Sequence, residues 1–157
     1  MARPKQNLLL AKLPTNDRGR LLPDLEHVHL ELGQPAYKSD KEQSHVYFLT
    51  DSVSSLLYTT EDGWSTEIAV VGNDGLLGVV LLMGGRTTPS IAVVQSAGDV
   101  YRLPAAVIRR EFQRSGQALQ QSLLRYTQAL LTQMAQTAVC NRHRHRPAIL
   151  PLAAADP

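Results

Sequence analysis

Two stretches of this sequence gather side chains that bind metals. The closing "CNRHRHRPAILPLAAADP" offers Cys140, His143 and His145, one thiolate and two imidazoles within six positions. Zinc accepts both donor types, but a structural zinc site takes four ligands, and its frameworks bring a second pair at a set distance. On a helix, positions 140 and 143 share a face and 143 and 145 do not, and no fourth ligand is in sight. No metal and no cofactor is therefore expected on a single chain. The second stretch, "HVHLE", alternates His27, His29 and Glu31, and alternate strand positions stand two imidazoles side by side. Val28, Leu30 and Leu32 interleave with them, so the simpler reading is a half-buried strand with one polar face.

Other chemistry is absent. The sequence contains no G-x-S-x-G, H-E-x-x-H or G-x-x-x-x-G-K, the signatures of nucleophile elbows, zinc proteases and phosphate loops. Its carboxylates fall at strand ends and turns, and Trp64 and Met83 are single bulky residues suited to core or turn cover. The expectation is a protein that is not an enzyme. Arg142, Arg144 and Arg146 concentrate positive charge near the end, yet no aromatic residue interleaves with them and no recognition helix follows. DNA binding is not expected of this chain alone.

Bulk properties are those of an ordinary soluble globular protein. With 157 residues, 43% hydrophobic and 19% charged, and a formal charge of +2, the chain is long enough for one core and too mildly basic to imply nucleic acid. One cysteine excludes an intrachain disulfide and fits a reducing compartment. "MARPKQNLLLAKLPTND" has an apolar run of only three leucines, too short for a signal peptide or a membrane span. A cytoplasmic location with no membrane contact is expected.

Three zones follow along the chain. Residues 5–27 read as short helical pieces cut by Pro14 and Pro23, with Asn16 or Asp17 as N-cap of the second. From 28 to 103 the period changes to two: "HVHLELG", with Gly33 as its stop, then "SHVYFLT", "VSSLLYTT", "STEIAVVG", "SIAVVQ" and "DVYRL", separated by turn signals such as "EDG" and "GND". Many short strands at such spacing predict a β-sandwich or barrel and no βαβ rhythm. From 104 to 143 the pattern is helical again. Pro104 opens a short helix, Gly116 stands at its C′ position, and a run free of Gly and Pro follows.

That last run carries two apolar stripes. Leu119, Leu123, Tyr126, Leu130, Met134 and Thr137 form one continuous line; Leu124, Leu131, Ala135 and Ala138 form a second beside it. One stripe can pack on the barrel and the other needs a partner, for which a parallel copy of the same helix is the simplest. The first stripe, Leu119 to Thr137, is assigned to a homodimer interface.

This order of elements resembles the Crp/Fnr family of bacterial transcription regulators. The likeness is carried by "LLPDLEHVHLELGQPAY", by "HVYFLTDSVSSLLYTTEDGWSTEIAVVGNDGLLGVVLLMGG" and by "VIRREFQRSGQALQQSLLRYTQALLTQMAQTAVCNRH", spread over residues 6–143. It implies a mainly β domain, a double-stranded β-helix or jelly roll of the cyclic-nucleotide-binding type, followed by a long dimerisation helix. It further implies that a signal bound in the barrel repositions a DNA-binding helix-turn-helix placed after that helix. The family's nucleotide binders use Gly-Glu-Leu and, about ten residues later, Arg-Ser or Arg-Thr. Here "GVVLLMGGRTTPSIAVV" stands in the corresponding place. Gly78 matches, Val79 replaces the glutamate, and Thr88-Pro89 occupies the arginine position. Arg86 is near, on a Gly-Gly turn. The candidate effector pocket is Gly78, Val79, Arg86, Thr87, Thr88 and Ser90, with cAMP binding not expected and a less charged small molecule favoured.

The expected organisation is therefore short helices plus jelly roll over 1–103, the short and long helices over 104–143, and an irregular tail over 144–157. The tail holds three prolines in its last eleven residues and no helical stripe, so a truncation is expected, by a frameshift after Arg142 or otherwise. The competing readings are a metal-dependent cupin-type enzyme using His27 and His29, and an interaction-only dimer that pairs with full-length regulators.

Overall fold

The computed structural model describes residues 3–114 and 117–144. Alternating side chains produce eight strands: β1 Glu26–Leu30, β2 Pro35–Tyr37, β3 His45–Leu49, β4 Val53–Thr59, β5 Ser65–Val71, β6 Leu76–Leu77, β7 Ser90–Ser96 and β8 Gly98–Pro104. They form two antiparallel four-stranded sheets, ordered β1-β8-β3-β6 and β2-β7-β4-β5. This is the jelly roll, with α1 Leu8–Lys12 and α2 Thr15–Leu21 before it and α3 Ala105–Gln113 and α4 Gln117–Arg144 after it. Among the described residues no helix is long and apolar enough to cross a membrane. Gly116 and residues 145–157 lie outside the described residues.

Both faces of the first sheet are buried, which explains why "HVYFL" is nearly all apolar. One face meets the other sheet: Leu30, Leu49, Leu77 and Val100 pack against Leu56, Ala69, Val71, Ala92 and Val94. The opposite face, with Val46, Phe48, Leu76 and Leu103, is covered by Leu10, Leu13, Leu21, Ile108, Leu119 and Leu123 from the helices. Each such fully buried side chain contributes about 1.5–3 kcal/mol relative to exposure.

The N-terminal helices are fixed by polar contacts. Asn7, fully buried, accepts from the backbone N–H groups of Leu9 and Leu10 at 3.0 and 3.2 Å and so caps α1. Its amide nitrogen donates to the carbonyls of Leu49 and Gly75, both at 2.8 Å. For α2, neither Asn16 nor Asp17 is the cap. The helix starts earlier, directly after Pro14, and Asp17 pairs with Arg20 from within its first turn. Arg20 also reaches the buried Glu111 of α3 at 3.1 Å, tying α2 to α3.

Two further details differ from the sequence expectation. Strand β1 stops at Leu30, because the Gln34 N–H donates to the Glu31 carbonyl and Gly33 turns at φ +81°. Leu32 therefore sits on a turn and is exposed, not on the inner face with Leu30. On the far side of the barrel, α4 bonds to the outermost strand of the second sheet. The Val70 N–H donates to the Gln133 side chain at 3.0 Å, and Asn141 donates to the Glu67 carbonyl at 3.3 Å.

Candidate effector pocket

The short strand β6 runs into Gly78, whose φ of +105° belongs to the left-handed region. A Cβ there would lie 3.2 Å from the His45 carbonyl and the Val46 side chain, so close packing on β3 requires glycine. The backbone then makes a single 3-10 turn, Val79–Leu81, which brings Val79 and Val80 to the wall of a cavity of about 80 Å³. Thr88 and Ser90, leading into β7, share a wall of that cavity, their hydroxyls 3.2 Å apart.

Of the six residues expected in the pocket, Gly78, Val79, Thr88 and Ser90 line it. Arg86 and Thr87 do not. The Gly84-Gly85 turn, with Gly84 at φ +86°, sends Arg86 outward, where its guanidinium meets Glu42 at 3.3 Å in solvent. No charged residue lines the cavity among the described residues.

Sequence reasoning missed Tyr37, Gln43, Leu56 and Ile68, which complete the lining. Burial raises the Tyr37 hydroxyl pKa, opposed in part by a hydrogen bond with Ser90. Gln43 is 5% exposed; its backbone N–H is held by the Arg86 carbonyl at 2.9 Å, while both polar atoms of its side chain lack a partner. Nothing in the local "KSDKEQSH" pattern marks this glutamine as interior.

Helix α4 closes the cavity with Leu130 and Met134. It is held in place by Leu119 and Leu123, each 1% exposed, and by Tyr126, whose hydroxyl donates to the Leu76 carbonyl at 3.1 Å. Leu119, Leu123, Tyr126, Leu130, Met134 and Thr137, the stripe expected at a subunit interface, lie along this side of α4. Leu119, Leu123 and Leu130 are buried and the other three half-buried in the isolated chain, facing its own barrel. The open stripe is the second one: Leu124, Leu131 and Val139 are 52%, 54% and 56% exposed, with Ala135 and Ala138 exposed beside them.

No family model matches the chain, and no curated protein matches it. Solved structures do. The sensor domain of the transcriptional regulator DNR from Pseudomonas aeruginosa superposes with a TM-score of 0.65 at 16% identity, over 84% of this chain and 88% of that one. The N-terminal domain of a transcriptional regulator from Streptomyces coelicolor gives 0.61 at 18%, over 87% and 95%. The chain shares their fold, the jelly roll of the cyclic-nucleotide-binding domain. The c-di-GMP responsive global regulator CLP from Xanthomonas campestris gives 0.68 at 12% identity, over 83% of this chain and 64% of that one.

In this fold the "HVHLE" strand pairs with β8. Among the described residues no group of three or more histidine, cysteine, aspartate or glutamate side chains is arranged to hold an ion. His27 and His29 both turn to Asp99 on the neighbouring strand β8. His29 Nδ1 lies 2.9 Å from Asp99 Oδ1, and His27 Nε2 lies 3.2 Å from Oδ2, off the line of a hydrogen bond. Glu31 is 3.7 Å from His29 and exposed. In the closing stretch Cys140 is exposed; the side chain of His143 and all of His145 lie outside the described residues.

The Asp99 cluster makes the β1–β8 junction pH-dependent. The hydrogen bond with His29, followed by the close approach of the His27 imidazole, holds the Asp99 carboxyl below its ordinary range. The same bond to Asp99 is the main cause that holds the His29 imidazole above its own, against a smaller desolvation effect. A raised imidazole contributes stability fully below its ordinary value and loses it as pH rises through the raised one. A lowered carboxyl contributes above its ordinary value and loses it as pH falls through the lowered one. The difference in Tm between wild type and Asp99→Asn should therefore be largest in mildly acidic buffer, between the ordinary carboxylate and imidazole ranges. It should shrink on both sides; a difference that grows into alkaline pH would contradict the pairing.

Proposed function

We propose that the chain is the effector-sensing and dimerising part of a Crp/Fnr-like transcription regulator in the cytoplasm. A small molecule other than cAMP occupies the barrel cavity, and a parallel second copy docks on the open stripe of α4. The observation that carries this reading is that Leu130 and Met134 belong both to the cavity wall and to α4. A ligand pressing on them acts directly on the helix, and the adjacent open stripe of that helix passes the change to the partner.

The open stripe supports pairing by its spacing. Leu124, Gln128, Leu131, Ala135, Ala138 and Arg142 step by four and three alternately, which is the seam of a left-handed coiled coil. The two alanines allow close approach. Against a nucleotide in the cavity stand Val79 in place of an acceptor for the ribose and the outward-facing Arg86, which leaves a phosphate without a countercharge. Light scattering after size exclusion should give twice the chain mass, and calorimetry with millimolar cAMP should show no saturable heat. A monomer, or a micromolar cAMP isotherm, would overturn the reading. Co-purification with a full-length regulator in mixed expression would instead favour a partner that acts by sequestration.

A further inference from the structure

We propose that the barrel cavity takes a small uncharged ligand that presents a hydrogen-bond donor and acceptor side by side, as a primary carboxamide, a urea or a lactam does, and that Gln43 reads it. This rests on the reading of the chain as an effector-binding domain and names the chemistry of that effector.

Gln43 carries the argument. A buried carboxamide has an acceptor oxygen and two donor hydrogens to satisfy, and buried polar groups nearly always find partners. Here the side chain is 5% exposed and neither its Nε2 nor its Oε1 is bonded. The residue lines the cavity, and its backbone is clamped by the Arg86 carbonyl, so an amide with unmet hydrogen bonds belongs to the cavity wall. The natural complement of an amide edge is another amide edge, since the two exchange one donor and one acceptor each.

The walls set the remaining properties. With no charged lining residue, a carboxylate or phosphate would lose its hydration without an opposing charge, whereas a neutral group would not. Ser90 and Thr88 offer hydroxyls on one side, and Leu56, Ile68 and Met134 offer apolar contact on the other. Volume limits size. A single water needs about 10–15 Å³ of such space, so about 80 Å³ suits a ligand of a handful of heavy atoms.

The test is an NMR titration of the full chain with acetamide, with acetone as the same shape lacking the donor and acetate as the charged match. Acetamide should saturate, shifting resonances of cavity-lining residues; acetone should bind at least about tenfold more weakly, the worth of one well-made hydrogen bond, and acetate not at all. Gln43→Leu should weaken acetamide by a similar factor. Gln43→Met, close in length and volume, replaces it if Gln43→Leu melts early. Acetone or acetate matching acetamide, acetamide binding untouched by both Gln43 variants, or no saturation by acetamide would each overturn the inference. Acetone matching acetamide would still leave the cavity a ligand site. A monomeric chain in light scattering would sink the wider reading without changing this titration, so the two failures are distinguishable.

Discussion

Replacing Tyr126 with alanine should lower the free energy of unfolding by about 3–5 kcal/mol, the range for removing a large aromatic side chain from a core. The ring packs against both hydrophobic clusters, the one between the sheets and the one beneath the helices. Its burial raises the hydroxyl pKa far above the ordinary phenol range, and the hydroxyl donates to Leu76. A Cβ on Gly75 would come within 2.6 Å of that hydroxyl, so the turn before β6 is shaped around the ring. Tyr126→Phe keeps the wedge and drops one hydrogen bond, for a cost of about 0.5–1.5 kcal/mol. Gly75→Ala leaves the tyrosine intact and denies it its place. Urea melts of the three variants separate these effects. An alanine variant no weaker than the phenylalanine one would show that α4 is anchored elsewhere.

The double variant Leu124→Arg/Leu131→Arg should convert the proposed dimer into a monomer at micromolar concentration. Burying an unpaired charge at the centre of an interface costs several kcal/mol beyond the lost apolar contact, and every 1.4 kcal/mol is tenfold in Kd. A rise in dissociation constant of about a hundredfold or more is expected, before any repulsion between the four introduced guanidinium groups is counted. Both leucines are more than half exposed in the single chain, so the melting temperature of the monomer should barely move. A double variant that keeps the wild-type dissociation constant would place the contact elsewhere.

How much of this was legible beforehand depends on the range of the forces involved. Strands β3, β4, β5, β7 and β8 announce themselves because alternation and turn residues are local. Strands β2 and β6 span only three and two residues, too short for any periodicity. The two stripes of α4 were visible at once, but periodicity fixes the angle between two faces and not which of them meets the core. Leu124 and Leu131 are as apolar as Leu119 and Leu123. The choice is made by Tyr126 fitting the space at Gly75, fifty-one positions away in sequence, and nothing local encodes that. Gly78 enters the candidate pocket through its match to a family motif, while the Val46 side chain and His45 carbonyl give it a packing reason. Arg86 was placed near the pocket by its position in the chain, and the Gly-Gly turn carries it out again. Gln43 offered no signal, since a glutamine in a polar run normally faces water.

The two bonds from α4 to β5 have a consequence for colloidal behaviour. Strand β5 is the outer strand of its sheet, and an outer strand with bare N–H and C=O groups is a template on which another chain can grow a sheet. Gln133 occupies the N–H of Val70 and Asn141 the carbonyl of Glu67, so the helix acts as a guard rail along that edge. Any movement that lifts the distal half of α4 also bares β5. A domain that signals by shifting this helix thereby becomes most prone to self-association at the moment it switches.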